Sequence, residues 1–112
     1  MHLFENDYSE GAHQRILKAL FDTNTEQTQG YGLDKYSLLA QDAIKQKAGR
    51  SDIDIHFIPG GTQTNMIAIS AFLQPHEAVI SAETGHIEVH ETGAIESTGH
   101  KILGVKTNDG KL

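Results

Sequence analysis

The period of the apolar pattern changes near residue 50, and that change sets the fold class. Before it, Tyr36, Leu39, Ala40, Ala43 and Ile44 fall at i, i+3, i+4, i+7 and i+8. That is the one-sided stripe of a helix over 35–48, with Asp34 as its cap and Gly49 as its end. After it, Ile53, Ile55 and Phe57 alternate with Asp54 and His56, which is strand behaviour. Pro59-Gly60-Gly61 stops that strand, and Thr62 to Leu73 reads as a strongly apolar helix closed by Gln74-Pro75. Ala78 to Ala82 is a short buried strand by composition, Glu83-Thr84-Gly85 a turn, and 86–97 a helix weakened by Gly93. Lys101 to Lys106 is a third strand. Strand, helix, strand, helix, strand is the order of an α/β chain, with mainly parallel strands and helical crossovers.

Upstream, Ser9 predicts the cap of a helix near 10–22, whose Ile16, Leu17, Leu20 and Phe21 share a face and whose stop is Asn24. Residues 23–32 form a polar loop with Gly30-Tyr31-Gly32. The expected division is a helical arm over 1–52 and a first βαβαβ portion over 53–112. The helix around Met66 to Leu73 is apolar nearly all round, more than one face of a three-stranded sheet can bury. The 112 residues therefore read as the N-terminal piece of a larger protein, or a piece that needs partners.

Composition removes several function classes. Lys plus Arg is 9 against Asp plus Glu 15, a net charge of −6, and the lysines are scattered. Nucleic acid and anionic membranes need clustered basic groups, so neither is an expected partner. No apolar run approaches the roughly 20 residues of a membrane helix, and the first residues do not resemble a secretory signal. With no cysteine, disulfides, thiolate metal sites and cysteine catalysis drop out, and a cytoplasmic location is the default expectation.

Three stretches could carry chemistry. Pro59 to Asn65 follows a strand and opens a helix, where free backbone N–H groups and the helix dipole suit a phosphate. Its spacing matches neither a Walker loop nor GxGxxG, and a tight turn with Thr62 as a simple helix cap accounts for the same residues. In Gly85 to Gly93, His86 and His90 are i, i+4 and share a helical face. A metal would need a distant third ligand such as His56, His76 or His100, and no metal is expected. His86 alone could be a flat platform for a planar ligand, with Glu91 as an acid or base near it. Asn6-Asp7-Tyr8 and Gly30 to Asp34 are polar residues on irregular segments, open to a site role or to plain loop capping.

In this order, Asn6-Asp7, Tyr31-Gly32 with Asp34, Gly61-Thr62 with Asn65, and His86-Ile87 with Glu91 and Gly93 resemble the threonine aldolase and β-eliminating lyase family. That family belongs to the fold-type-I pyridoxal-phosphate enzymes, and the likeness spans its N-terminal portion. The resemblance implies part of a fold-type-I large domain and pyridoxal 5'-phosphate in the complete enzyme. It implies that Gly61, Thr62 and Gln63 hold the cofactor phosphate, that His86 stacks on the pyridine ring, and that Glu91 aids proton transfer or positions water. Asn6, Asp7 and Tyr31 would lie on the substrate side. The implied reaction is that of a low-specificity L-threonine aldolase, cleaving Cα–Cβ of a small amino acid to glycine and an aldehyde, in a homodimer or homotetramer.

This chain departs from the family at several positions. Asn6 and Gly60 stand where the family usually has Ser, and Gln63-Thr64 replaces a small or Met-Gly pair. The family's Schiff-base lysine lies beyond the last residue, so the 112-residue chain alone is expected to be inactive. Another β-eliminating amino-acid lyase, or a non-catalytic phosphate-ligand binding module, would use the same residues.

Overall fold

A computed structural model describes Asn6 and residues 10–112. The chain divides into two compact units, 1–55 and 56–112. The first holds two helices, α1 (Gln14–Thr23) and α2 (Lys35–Ala48). The second runs α3 (Gly61–Phe72), β1 (Ala78–Ala82), α4 (His86–Val89), a 3-10 turn (Glu96–Thr98) and β2 (Lys101–Val105).

α2 forms over the expected residues because both ends are satisfied locally. Asp34 accepts the Tyr36 and Ser37 N–H groups, each at 2.9 Å, and the Ser37 hydroxyl donates to its other oxygen at 2.6 Å. These donors hold the Asp34 carboxyl below the usual carboxylate range, Ser37 most of all. At the far end Gly49 turns left-handed and donates to Gln46 and Lys45 carbonyls, with Lys45 and Lys47 beside the negative end of the dipole. Nearby, the Lys35 ammonium and then the Tyr36 hydroxyl lower the Glu26 carboxyl.

α1 begins at Gln14 rather than near residue 10. Ser9, the expected cap, lies outside the described residues. The His13 ring accepts the Arg15 N–H at 3.2 Å and caps the helix instead, and Gly11 disfavours helix before it. Ile16, Leu17, Leu20 and Phe21 are all more than half exposed.

The second unit is built on two parallel strands. β1 pairs with β2 in register Ala78↔Lys101 through Ala82↔Val105, and the Glu83 N–H continues the ladder onto the Val105 carbonyl at 3.0 Å. A parallel pair needs a long crossover, supplied by residues 83–100 with α4 packed against both strands. Ile95 is fully buried there, and Ala82 of β1 and Ile102 of β2 are buried too. A side chain of that size contributes about 1.5–3 kcal/mol when removed from water.

Two expectations are corrected. Residues 53–57 belong to no ladder: the sheet has two strands, not three, among the described residues. Ile53 and Ile55 are still less exposed than Asp54, but alternation supplies only a face, whereas a strand also needs a neighbour for its backbone groups. What residue 55 has is the Gln41 amide, donating to its carbonyl at 3.2 Å. The helix expected over 86–97 lasts four residues. Thr92 (φ 45°) and Gly93 (φ 80°) both take left-handed backbone, which an α-helix cannot pass through.

α3 keeps no buried residue. Ile67 and Phe72 are 46% and 84% exposed, so its all-round apolar surface is not covered within this unit.

Candidate active site

The site forms inside the second unit where α3 meets the segment after β1. α3 starts with Gly60 at φ 94°, a conformation that L side chains rarely adopt, and no side chain caps its first turn. Thr62 is therefore not a cap. The first side-chain bond to this end runs from the Thr64 hydroxyl back to the Gly60 carbonyl, 2.9 Å, and leaves the leading N–H groups alone. A Cβ placed on Gly60 or Gly61 would meet nothing within 4 Å, so the turn opens onto free space. Gly61, Thr62 and Gln63 are all exposed around it.

One turn further on, the Asn65 side-chain amide donates to Glu91 Oε1 at 2.8 Å. Glu91 stands apart by its burial: its side chain has no exposure at all, unusual for a carboxylate without a full set of partners. Its Oε2 is buried and unpaired among the described residues. His86 Nε2 lies 3.5 Å from Glu91 Oε1, while the His86 side chain is 68% exposed. The pair thus consists of a buried carboxylate and a histidine that presents its ring outward. His90 sits beside His86, ring centroids 5.4 Å apart and tilted by 46°. No group of three metal-ligating side chains comes together among the described residues.

Gly85 makes this arrangement possible. It closes the turn after β1, donating to the Ala82 carbonyl at 2.8 Å. A side chain there would overlap the Ser81 hydroxyl, so α4 starts with His86 close against the strand. Glu88 lies on another side of α4, against Gly104 of β2.

The remaining expected site residues are in the first unit. Tyr31 is fully exposed with left-handed backbone, φ 62°, in the loop before α2. Asn6 is exposed, and Asp7 lies outside the described residues. An open concavity of about 710 Å³ in the first unit is lined by Ile16, Leu20 and Tyr36 among others.

Sequence reasoning had Asn65 as a residue opening a helix and missed its partner. The only signal available was its place four residues after Gly61, on the same helical face. The link to Glu91 spans 26 residues and has no signature in a local pattern.

Residues 9–112 match the family described as beta-eliminating lyase. The chain belongs to that family. It is 33% identical to the low specificity L-threonine aldolase of Pseudomonas aeruginosa, and 32% identical to the enzyme of the same name from a Pseudomonas species. Each likeness covers 97% of this chain and 32% of the relative. The chain thus spans about a third of the length of the curated relatives it matches. The solved structure of Leishmania major threonine aldolase superposes with a TM-score of 0.91 at 51% identity, over 96% of this chain and 31% of that one. The fold class expected from the order of elements, the parallel α/β arrangement of a fold-type-I enzyme, is the one this likeness shows. No helix of the described residues is long and apolar enough to cross a membrane.

Proposed function

We propose that this chain carries the phosphate-holding turn and the histidine–glutamate pair of a pyridoxal-phosphate-dependent amino-acid lyase. The whole protein would act as a low-specificity L-threonine aldolase does by name, cleaving a β-hydroxy amino acid to glycine and an aldehyde. The observation that supports this most is the 2.8 Å Asn65–Glu91 bond. It ties the helix with the open first turn to the segment that bears His86.

The residues present suit the cofactor. The uncapped turn at Gly61, Thr62 and Gln63 offers backbone N–H groups and one hydroxyl to a phosphate, and the space above Gly60 and Gly61 is free to receive it. The exposed imidazole of His86 offers a flat face to an aromatic ring. When bound, pyridoxal phosphate supplies the electron sink for the bond broken at Cα. Glu91 then holds or passes a proton: its Oε1 is already taken by Asn65, which leaves Oε2 as the oxygen for that work. Asn6, Asp7 and Tyr31 would face the substrate, residues 53–112 would begin the cofactor-binding domain after a helical arm over 1–52, and the whole protein would assemble as a dimer or tetramer.

The test is to add pyridoxal phosphate to the whole protein, reduce with borohydride and measure the intact mass, then incubate with threonine and analyse products. A covalent cofactor adduct with glycine and acetaldehyde supports the aldolase. A keto acid and ammonia would replace it with an eliminating lyase. Cofactor bound without turnover of any amino acid would leave a binding module, and no cofactor binding would refute the reading.

A further inference from the structure

We propose that Asn65 is a positioning residue that orients His86 through Glu91. The inference rests on the functional reading above and adds to it a residue that acts through Glu91.

The direction of the Asn65–Glu91 bond follows from chemistry. A carboxylate oxygen facing the Asn65 side chain can only accept while ionised, so the amide NH2 must face it, and the amide oxygen must point away. This fixes one oxygen of a side chain that has no exposure and whose other oxygen has no hydrogen-bond partner among the described residues. The same Oε1 lies 3.5 Å from His86 Nε2. His86 is otherwise loosely held. It is the first residue of a four-residue helix, its side chain is 68% exposed, and its ring neighbour His90 is tilted rather than stacked. The carboxylate is thus the polar group that selects Nε2 as the inward nitrogen and sets the plane of the ring.

Without the Asn65 amide, Glu91 keeps only the distant histidine contact for two buried oxygens. A buried carboxylate in that state turns to find a donor or admits water, because an unpaired charge out of water is costly. Either response releases His86. Asn65 also sits one turn after Gly61 on the same face of α3, so its bond holds the open first turn against the segment 86–91. One side chain therefore keeps the phosphate end and the ring end of the site in register.

The experiment uses the whole protein, with pyridoxal phosphate as the probe. Asn65→Asp keeps the shape and removes the donor. Asn65→Gln keeps the donor. Dissociation constants come from fluorescence titration, and the visible circular dichroism of bound cofactor reports how firmly its ring is oriented. Asn65→Asp is expected to weaken binding about tenfold or more, the order carried by a hydrogen bond to a charged group, and to cut the dichroic band per bound cofactor by at least half. Asn65→Gln is expected to retain more of the band than Asn65→Asp. In a Glu91→Ala background, Asn65→Ala is expected to have no further effect on the band, since the amide acts through Glu91.

Additive effects of Asn65→Ala and Glu91→Ala would overturn the proposal, as would a wild-type band in Asn65→Asp. If Glu91→Ala does not fold, the comparison of Asp with Gln at 65 decides: equal bands refute it. Wild-type protein that binds no cofactor would overturn the functional reading and this inference together. A wild-type band with additive variants would overturn this inference alone.

Discussion

Replacing Gly85 with alanine would force a methyl group into space that Ser81 already fills. The backbone at Gly85, φ −68° and ψ 147°, suits any residue, so the effect is one of volume and not of conformation. A Cβ there overlaps the Ser81 hydroxyl and comes within 2.9 Å of the Ala82 carbonyl oxygen. Ser81 cannot simply swing away: it is 7% exposed, and its hydroxyl donates to that same Ala82 carbonyl at 3.0 Å. Overpacking of this kind costs about 1–3 kcal/mol, and a displaced buried hydroxyl loses about 1 kcal/mol of hydrogen bonding. Gly85→Ala should therefore destabilise by roughly 2–4 kcal/mol, the sum of those two effects. The assay is equilibrium unfolding in urea followed by far-UV circular dichroism, read as a shift in midpoint at unchanged slope. Adding Ser81→Ala removes the hydroxyl overlap but not the approach to the carbonyl, so it should restore part of the loss and not all of it. A Gly85→Ala change below about 0.5 kcal/mol, the range of an indifferent surface substitution, would refute the steric argument. So would full rescue by Ser81→Ala.

Three other outcomes follow from single residues. Because the Asp34 carboxyl is lowered in the folded chain by Ser37 and Tyr36, its cap is fully present above the ordinary aspartate value, about 3.9, and is lost as pH falls through the lower folded value; protection of the Tyr36 and Ser37 amides against exchange, relative to the unfolded chain at the same pH, should fall below about pH 4, and Asp34→Asn should flatten that dependence. Thr92 is a β-branched residue in left-handed backbone, a placement that costs about 1–2 kcal/mol, so Thr92→Asn, which tolerates that region, should raise the thermal midpoint; a lower midpoint would count against strain there. Gly60→Ala meets no steric obstacle but must take φ 94°, so it should weaken pyridoxal-phosphate binding to the whole protein by distorting the first turn of α3, and unchanged affinity in a titration would show that the turn does not need this backbone.

What the sequence determined by itself is whatever near neighbours decide. α2 is bounded by Asp34 and Gly49 because a cap is a bond between a side chain and N–H groups two or three residues away, and a left-handed glycine is a property of one residue. β1 and β2 were legible as short apolar runs between turn signals, and the parallel relation between them followed from a crossover too long for a hairpin. Tertiary structure decided the rest, because the forces involved act across distant segments. Residues 53–57 carry the alternation of a strand but find no ladder among the described residues, since a strand needs a second backbone to pair with. The 86–97 segment has helical spacing, yet Thr92 and Gly93 turn it back so that Ile95 and Glu91 can be buried, and burial wins over local propensity. Gly85 looks like any turn glycine until Ser81 is seen behind it. Glu91 is marked in sequence as an acid or base near His86; only folding withdraws it from water and brings Asn65, 26 residues away, to hold it.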